Sequence, residues 1–146
     1  MIDLVAVDKA IVRGLEAALS GLTVAEANSP AKMPPYPFVS YNIIDVGDND
    51  FTLSFNAHGE TRVACITLVQ EVRDWFIGPG HQALKDAVNV VVVTVEAADN
   101  RDVQIGNMWE RKYGFDVDFR TVGVWPNKET DWTTEVIEKA DIERTD

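Results

Sequence analysis

Two segments far apart in the chain alternate apolar and polar residues with a period of two. In FTLSFNA (51–57), Phe51, Leu53, Phe55 and Ala57 alternate with Thr52, Ser54 and Asn56. In GFDVDFRTVGV (114–124), Phe115, Val117 and Phe119 alternate with Asp116, Asp118 and Arg120. Successive side chains of a strand point to opposite faces, so each segment buries one face and wets the other. Such strands need something apolar laid over one side of their sheet. Two segments with helical spacing supply it. Leu4, Val7, Ile11, Val12, Leu15, Ala18 and Leu19 form one stripe in residues 3–20, and Cys65, Leu68, Val69, Val72, Trp75 and Phe76 form another in residues 60–76. Asp3 is placed to cap the first helix and Gly21 to end it, while Gly14 lies inside it and weakens it.

The remaining segments complete an α+β fold. Residues 28–37, NSPAKMPPYP, hold four prolines and read as an extended connector inside one domain spanning 1–146. FVSYNII (38–44) is rich in β-branched and aromatic residues, and DVGDND (45–50) has turn chemistry, so 38–57 reads as a hairpin. Gly78-Pro79-Gly80 is a helix stop, with one or two more turns expected over 81–87. The continuous apolar run VNVVVVTVE (88–96) suggests a central strand buried on both faces. Residues 98–102 read as a turn and 107–112 as a short helical turn. Residues 125–131 read as a turn and 133–143 as an edge strand. The expected architecture is a mixed or antiparallel sheet of about five strands with two main helices packed on it.

Charge narrows the function. The chain has 24 acidic and 13 basic residues, a net charge of −11, and no basic cluster. Tight binding of nucleic acid needs clustered Lys and Arg, so it is not expected. No apolar run reaches the roughly 18–20 residues of a membrane helix. Asp3 and Asp8 stand where a secretory signal would be positive, so no targeting segment is expected. One cysteine, Cys65, allows no internal disulfide and fits a reducing compartment.

Catalytic patterns are weak. Cys65 lies on the apolar stripe of its helix, and His58 and His81 have no patterned partners. Asp45, Asp48 and Asp50 crowd one loop without the spacing of a calcium loop. Gly78-Pro79-Gly80 lacks the Lys-Ser or Lys-Thr of a phosphate-cradling loop. Asp116 and Asp118 share a strand face, with Glu110, Lys112 and Asp102 before them. This faintly echoes the acidic-plus-lysine pattern of Mg²⁺-dependent nucleases, without a basic groove for DNA. The chain is therefore read as a protein without catalytic residues, metal or cofactor, with a Mg²⁺-dependent hydrolase as the weaker alternative. Large aromatic and Arg side chains near turns are the better candidates for contact with partners: Trp109, Arg111, Tyr113, Arg120, Trp125 and Trp132.

Three blocks, in this order, carry a family resemblance: PPYPFVSYNII (34–44), FTLSFNAHGETRVACITLVQEVRDWF (51–76) and WERKYGFDVDFR (109–120). Their order and spacing resemble the phage neck or tail-terminator family of long-tailed phages. The resemblance implies a structural virion protein, made in the host cytoplasm, that caps the head-proximal end of the tail tube, terminates its growth and joins tail to head. It further implies self-association into a six-fold ring, with the tail tube protein and a head-completion or connector protein as partners. DNA would pass through such a ring without specific binding, and no membrane is involved. Another head–tail connector or minor tail protein is the nearest alternative.

Overall fold

A computed structural model describes residues 3–27, 29–30 and 32–121. The turn at 125–131, the edge strand at 133–143, Trp125 and Trp132 lie outside the described residues. Helix α1 (Leu4–Ala18) starts where expected: the Asp3 carboxylate accepts the Ala6 N–H at 3.1 Å. Its buried stripe is Val7, Ile11 and Leu15. Helix α2 (Arg62–Ile77) is capped in the same way by the Thr61 hydroxyl, which accepts the Ala64 N–H at 3.1 Å. It buries Cys65, Leu68, Val69, Val72, Trp75 and Phe76.

The Gly-Pro-Gly segment joins two helices and does not simply end one. Gly78 closes α2 and opens α3 (Pro79–Val88), with Pro79 in the first turn, where its missing N–H costs nothing. Helix α3 ends at Asn89 in the left-handed region, φ 62°. Three helices thus cover the sheet: the two main ones expected, and α3 where one or two further turns were expected. Gly80 has a packing reason as well: a Cβ there would fall 2.5 Å from the Trp75 ring, and one on Gly14 of α1 would do the same. The two glycines let the Trp75 indole seat between α1 and α3, which explains a glycine inside α1 despite its poor helix propensity.

The strands are β1 (Val24–Glu26), β2 (Phe38–Val46), β3 (Asp50–His58), β4 (Val90–Val95), β5 (Asp99–Asn100), β6 (Val103–Ile105), β7 (Met108–Glu110) and β8 (Lys112–Thr121). The main sheet runs β1-β2-β3-β8-β4, with β5 also on β8, giving six strands, in keeping with the expected sheet of about five. β1 is parallel to β2 and the other pairs are antiparallel, so the sheet is mixed. The two alternating segments lie side by side: Phe51 faces Phe119, Leu53 faces Val117 and Phe55 faces Phe115. Phe76 of α2 closes over them, its ring centroid 4.8 Å from Phe55 and 5.9 Å from Phe119. This is the dry layer that the alternation called for.

Two expectations are corrected here. Among the described residues β4 pairs only with β8, and its Val93 is 54% exposed, so it is not a doubly buried central strand. A run of valines does not say which of its faces is covered. Val90 and Val92 are buried in the core, Val91 between them is half-buried, and Val93 and Thr94 are exposed. Residues 98–102 and 107–112 contain strand, not simple turn and helical turn. β5 adds to β8, and β6 pairs with β7 across Gly106, φ 63°, as a separate two-stranded ribbon.

Candidate interface

The sheet face away from the helices is polar. Register places Ser40 opposite Asn56, Asn42 opposite Ser54, Thr52 opposite Asp118 and Ser54 opposite Asp116. Arg101, just after β5, reaches across this face. Its guanidinium donates to Asp99 at 2.7 Å, Ser54 Oγ at 2.7 Å, Asn56 Oδ1 at 3.2 Å and Asp116 at 3.3 Å. Gly114 makes room for it, since a Cβ there would collide with Asn56, the Phe55 carbonyl and Arg101. Asp118 accepts the Thr52 hydroxyl at 2.7 Å, and Glu110 lies 3.8 Å from Lys112 Nζ. The carboxylates behind the nuclease echo thus share a face as expected, but each already has a partner within the chain. Among the described residues no three His, Cys, Asp or Glu side chains converge as metal ligands.

A second polar group was not visible in the sequence. Ser40 Oγ shares a hydrogen bond of 2.8 Å with His58 Nε2, and His58 Nδ1 lies 3.7 Å from Glu110 Oε2. The imidazole stacks on Phe38 at 4.3 Å and is 5% exposed, and its Nδ1 has no hydrogen-bond partner. Burial drives the His58 pKa down to about 4; Glu110 opposes that shift and Lys112 adds to it. The trio has the residue types of a serine hydrolase, but not its surroundings. Ser40 is buried mid-strand, paired with β1 on one side and β3 on the other. Backbone N–H groups committed to two ladders leave no donor pair for an oxyanion. The trio is a structural bond network under a depression of about 510 Å³, lined also by Asn42, Ser54, Asn56 and Lys112.

At the same end of the sheet stands the β6–β7 ribbon. Val103, Ile105, Met108 and Trp109 are 43%, 62%, 72% and 55% exposed. Trp109 therefore lies where a partner can reach it. Arg111 comes two residues later, with Nη1 4.0 Å from the carboxylate of the mostly buried Asp102. Tyr113 packs against the core and accepts a hydrogen bond from Asn100 at 3.3 Å. Arg120 is exposed at the far end of β8, opposite Asp50 and Val91. Trp109, Arg111 and Tyr113 thus lie around the start of β8, each against a different neighbour, and Arg120 lies near its far end.

A polar face whose carboxylates are held by side chains of the same chain, beside a ribbon with exposed apolar side chains, offers contact surface and no assembled catalytic group. The comparison with known families agrees. The profile of the phage neck terminator protein family matches residues 9–146, and the chain belongs to that family. It is a structural component of the phage neck, and hence of the virion. Among curated proteins none matches the chain. No helix among the described residues is long and apolar enough to cross a membrane.

Proposed function

We propose that the protein caps the head-proximal end of the tail tube, stops its growth and forms the joint to the head, as a closed ring of about six copies. The family match across residues 9–146 carries this reading. Its partners are further copies of itself, the tail tube protein and a head-completion or connector protein. Trp109, Arg111, Tyr113, Arg120, Trp125 and Trp132 are its candidate contacts. DNA passes through the ring without specific binding; the net charge of −11 suits a channel that repels it. The protein is made in the host cytoplasm and acts without metal, cofactor or catalysis.

The test is mass in solution by light scattering over a concentration range, with negative-stain images of the same fractions. It is paired with addition of the protein to isolated tail tubes lacking a terminator. A ring of about six copies, or a ring that forms on the tube end and stops its elongation, is the expected result. Protein that stays monomeric and leaves tube growth unchanged overturns the reading. Binding only at the head side points to another connector.

A further inference from the structure

A groove of about 440 Å³ runs between α1 and α3. Ala6, Ala10, Ala83 and Ala87 line it, and Lys9 and Arg13 are its only charged lining residues. Two cations beside an apolar floor suit an occupant that is itself apolar and acidic. The acids of α1 and α3 are engaged elsewhere. Asp3 accepts the Ala6 N–H at 3.1 Å, Asp8 the Tyr41 hydroxyl at 3.0 Å, Glu16 the Val24 N–H at 3.0 Å and Asp86 the Gln82 amide at 2.8 Å. Neither Lys9 nor Arg13 makes an ion pair among the described residues.

The chain carries such an occupant. Strand β8 ends at Thr121, and Thr121 lines a depression that shares Ala6, Ala87 and Val88 with the groove. Residues 122–146 therefore leave the sheet beside it. They hold seven acids against three bases, a net charge of −4. Within them, Val136, Ile137, Ala140 and Ile142 stand among Glu135, Glu138, Asp141 and Glu143. Large apolar side chains among acids thus match small apolar side chains beside bases. A site next to the point of attachment also costs the least loop-closure entropy. The β6–β7 ribbon fits this segment less well. It adjoins the start of β8, and ten residues of strand put it roughly 30 Å away. Its surroundings, residues 99–112, balance three acids with three bases. We infer that residues 133–143 seat in the α1–α3 groove of their own copy, with their apolar side chains on the alanines and their acids toward Lys9 and Arg13. The contact takes this groove out of the surface offered to tube, head or neighbouring copies. It goes beyond the ring reading and does not depend on it.

A photo-cross-linker attached to Ala83→Cys in the full chain tests it; the native Cys65 is fully buried and does not compete for the label. Protein grown in heavy nitrogen and unlabelled protein are unfolded and refolded together, so that copies exchange, and the cross-linked peptides are identified by mass. The expected product joins residue 83 to a peptide from 133–143 of the same isotope. Lys9→Glu with Arg13→Glu lowers its yield several-fold while near-ultraviolet circular dichroism stays native. Adding Glu138→Lys with Asp141→Lys to that variant restores the yield. A mixed-isotope product overturns the same-copy contact and assigns the groove to a second copy. Absence of the 133–143 peptide also overturns it; its appearance from a cross-linker on Val93→Cys then places the segment at the open edge of β4. None of these outcomes touches the ring reading, which fails separately if no ring forms in solution or on tube ends.

Discussion

The two faces of the sheet are held by different physics. Under the helices, Phe51, Phe55, Phe115 and Phe119 are packed dry against Phe76 and Trp75. On the other face, Arg101 joins Ser54, Asn56, Asp99 and Asp116, and His58 joins Ser40. Apolar burial is non-directional and scales with area, whereas a polar bond exchanged against water nets about 1 kcal/mol. The covered face should therefore set the stability. The polar face fixes how β5 and the ribbon are held, and the ribbon itself carries little of the fold. Substitutions can put numbers on this contrast.

The largest effect belongs to Phe115→Ala. Phe115 is fully buried, with ring centroids 5.7 Å from Phe55 and 6.3 Å from Phe76, and the Arg73 guanidinium stands 5.9 Å above its ring. Truncation should cost about 3–5 kcal/mol in denaturant unfolding. A loss under about 1 kcal/mol would mean that this layer does not hold the sheet.

Gly80→Ala tests packing against propensity, because the two predict opposite signs. Propensity alone favours Ala in a helix by up to about 1 kcal/mol. The added methyl would meet the Trp75 ring, and overpacking costs about 1–3 kcal/mol. Destabilisation is expected, and Gly14→Ala should behave alike from the other side of the ring. A stabilised variant would show that the indole has room to move.

The same asymmetry decides what could be read from the sequence. The covered face was legible because strand alternation and helical stripes report burial directly: the stripes on α1 and α2 and the Asp3 cap all appear in the structure. Strand β1 is only three residues long, too short for periodicity to mark, and it forms by pairing in parallel with β2. The ribbon did leave a signal, since Gly106-Asn107 between two short apolar runs is hairpin chemistry. Trp109 was singled out by residue type and by its place in the block WERKYGFDVDFR, and the structure shows it exposed. Ser40, His58 and Arg101 were not, because sheet register brings them to their partners from distant positions. The Mg²⁺ echo arose from a spacing that did reflect a shared strand face, but spacing could not show that Arg101 and Thr52 occupy Asp116 and Asp118.

Acid titration probes the polar face. His58 has a folded pKa of about 4, below its ordinary value of 6.5, because burial disfavours its charged form. As pH falls below 6.5 the unfolded chain takes up the proton first, so stability is lost between about pH 6.5 and 4. The loss is on the order of 2 kcal/mol. Glu110 and Lys112 are the charges facing the ring and act in opposite senses. Asp8 works against the trend: burial raises its pKa even though the Tyr41 hydroxyl donates to it, so this carboxyl disfavours the fold once ionised and less so as pH falls. His58→Gln should flatten the stability profile across this window. An unchanged slope would assign it to other groups.

A smaller effect is expected from Arg101→Met. The variant removes charge-assisted bonds to Asp99 and Asp116 and leaves Ser54 and Asn56 without a donor. Water reaches this partly exposed site, so the loss should be about 1–2 kcal/mol. Faster amide exchange at Asp99 and Asn100 is expected with it, because β5 has only two residues of ladder to hold it on β8. Native protection at those amides would show that the ladder suffices.

The smallest effect on the isolated chain should come from Trp109→Ser. Trp109 is 55% exposed, and Gln104, its cross-strand neighbour, is exposed too. Exposed substitutions that break no cap, bond or packing contact stay within about 0.5 kcal/mol. A monomer built for solution alone gains nothing from an exposed Trp, and exposed Trp side chains are typical anchors of contact with other proteins. Trp109→Ser should therefore leave unfolding unchanged while weakening binding to tube ends, measured by capping of isolated tails. If it destabilises the monomer by as much as Gly80→Ala, the ribbon belongs to the core of the fold, and the division between a stabilising face and a docking end fails.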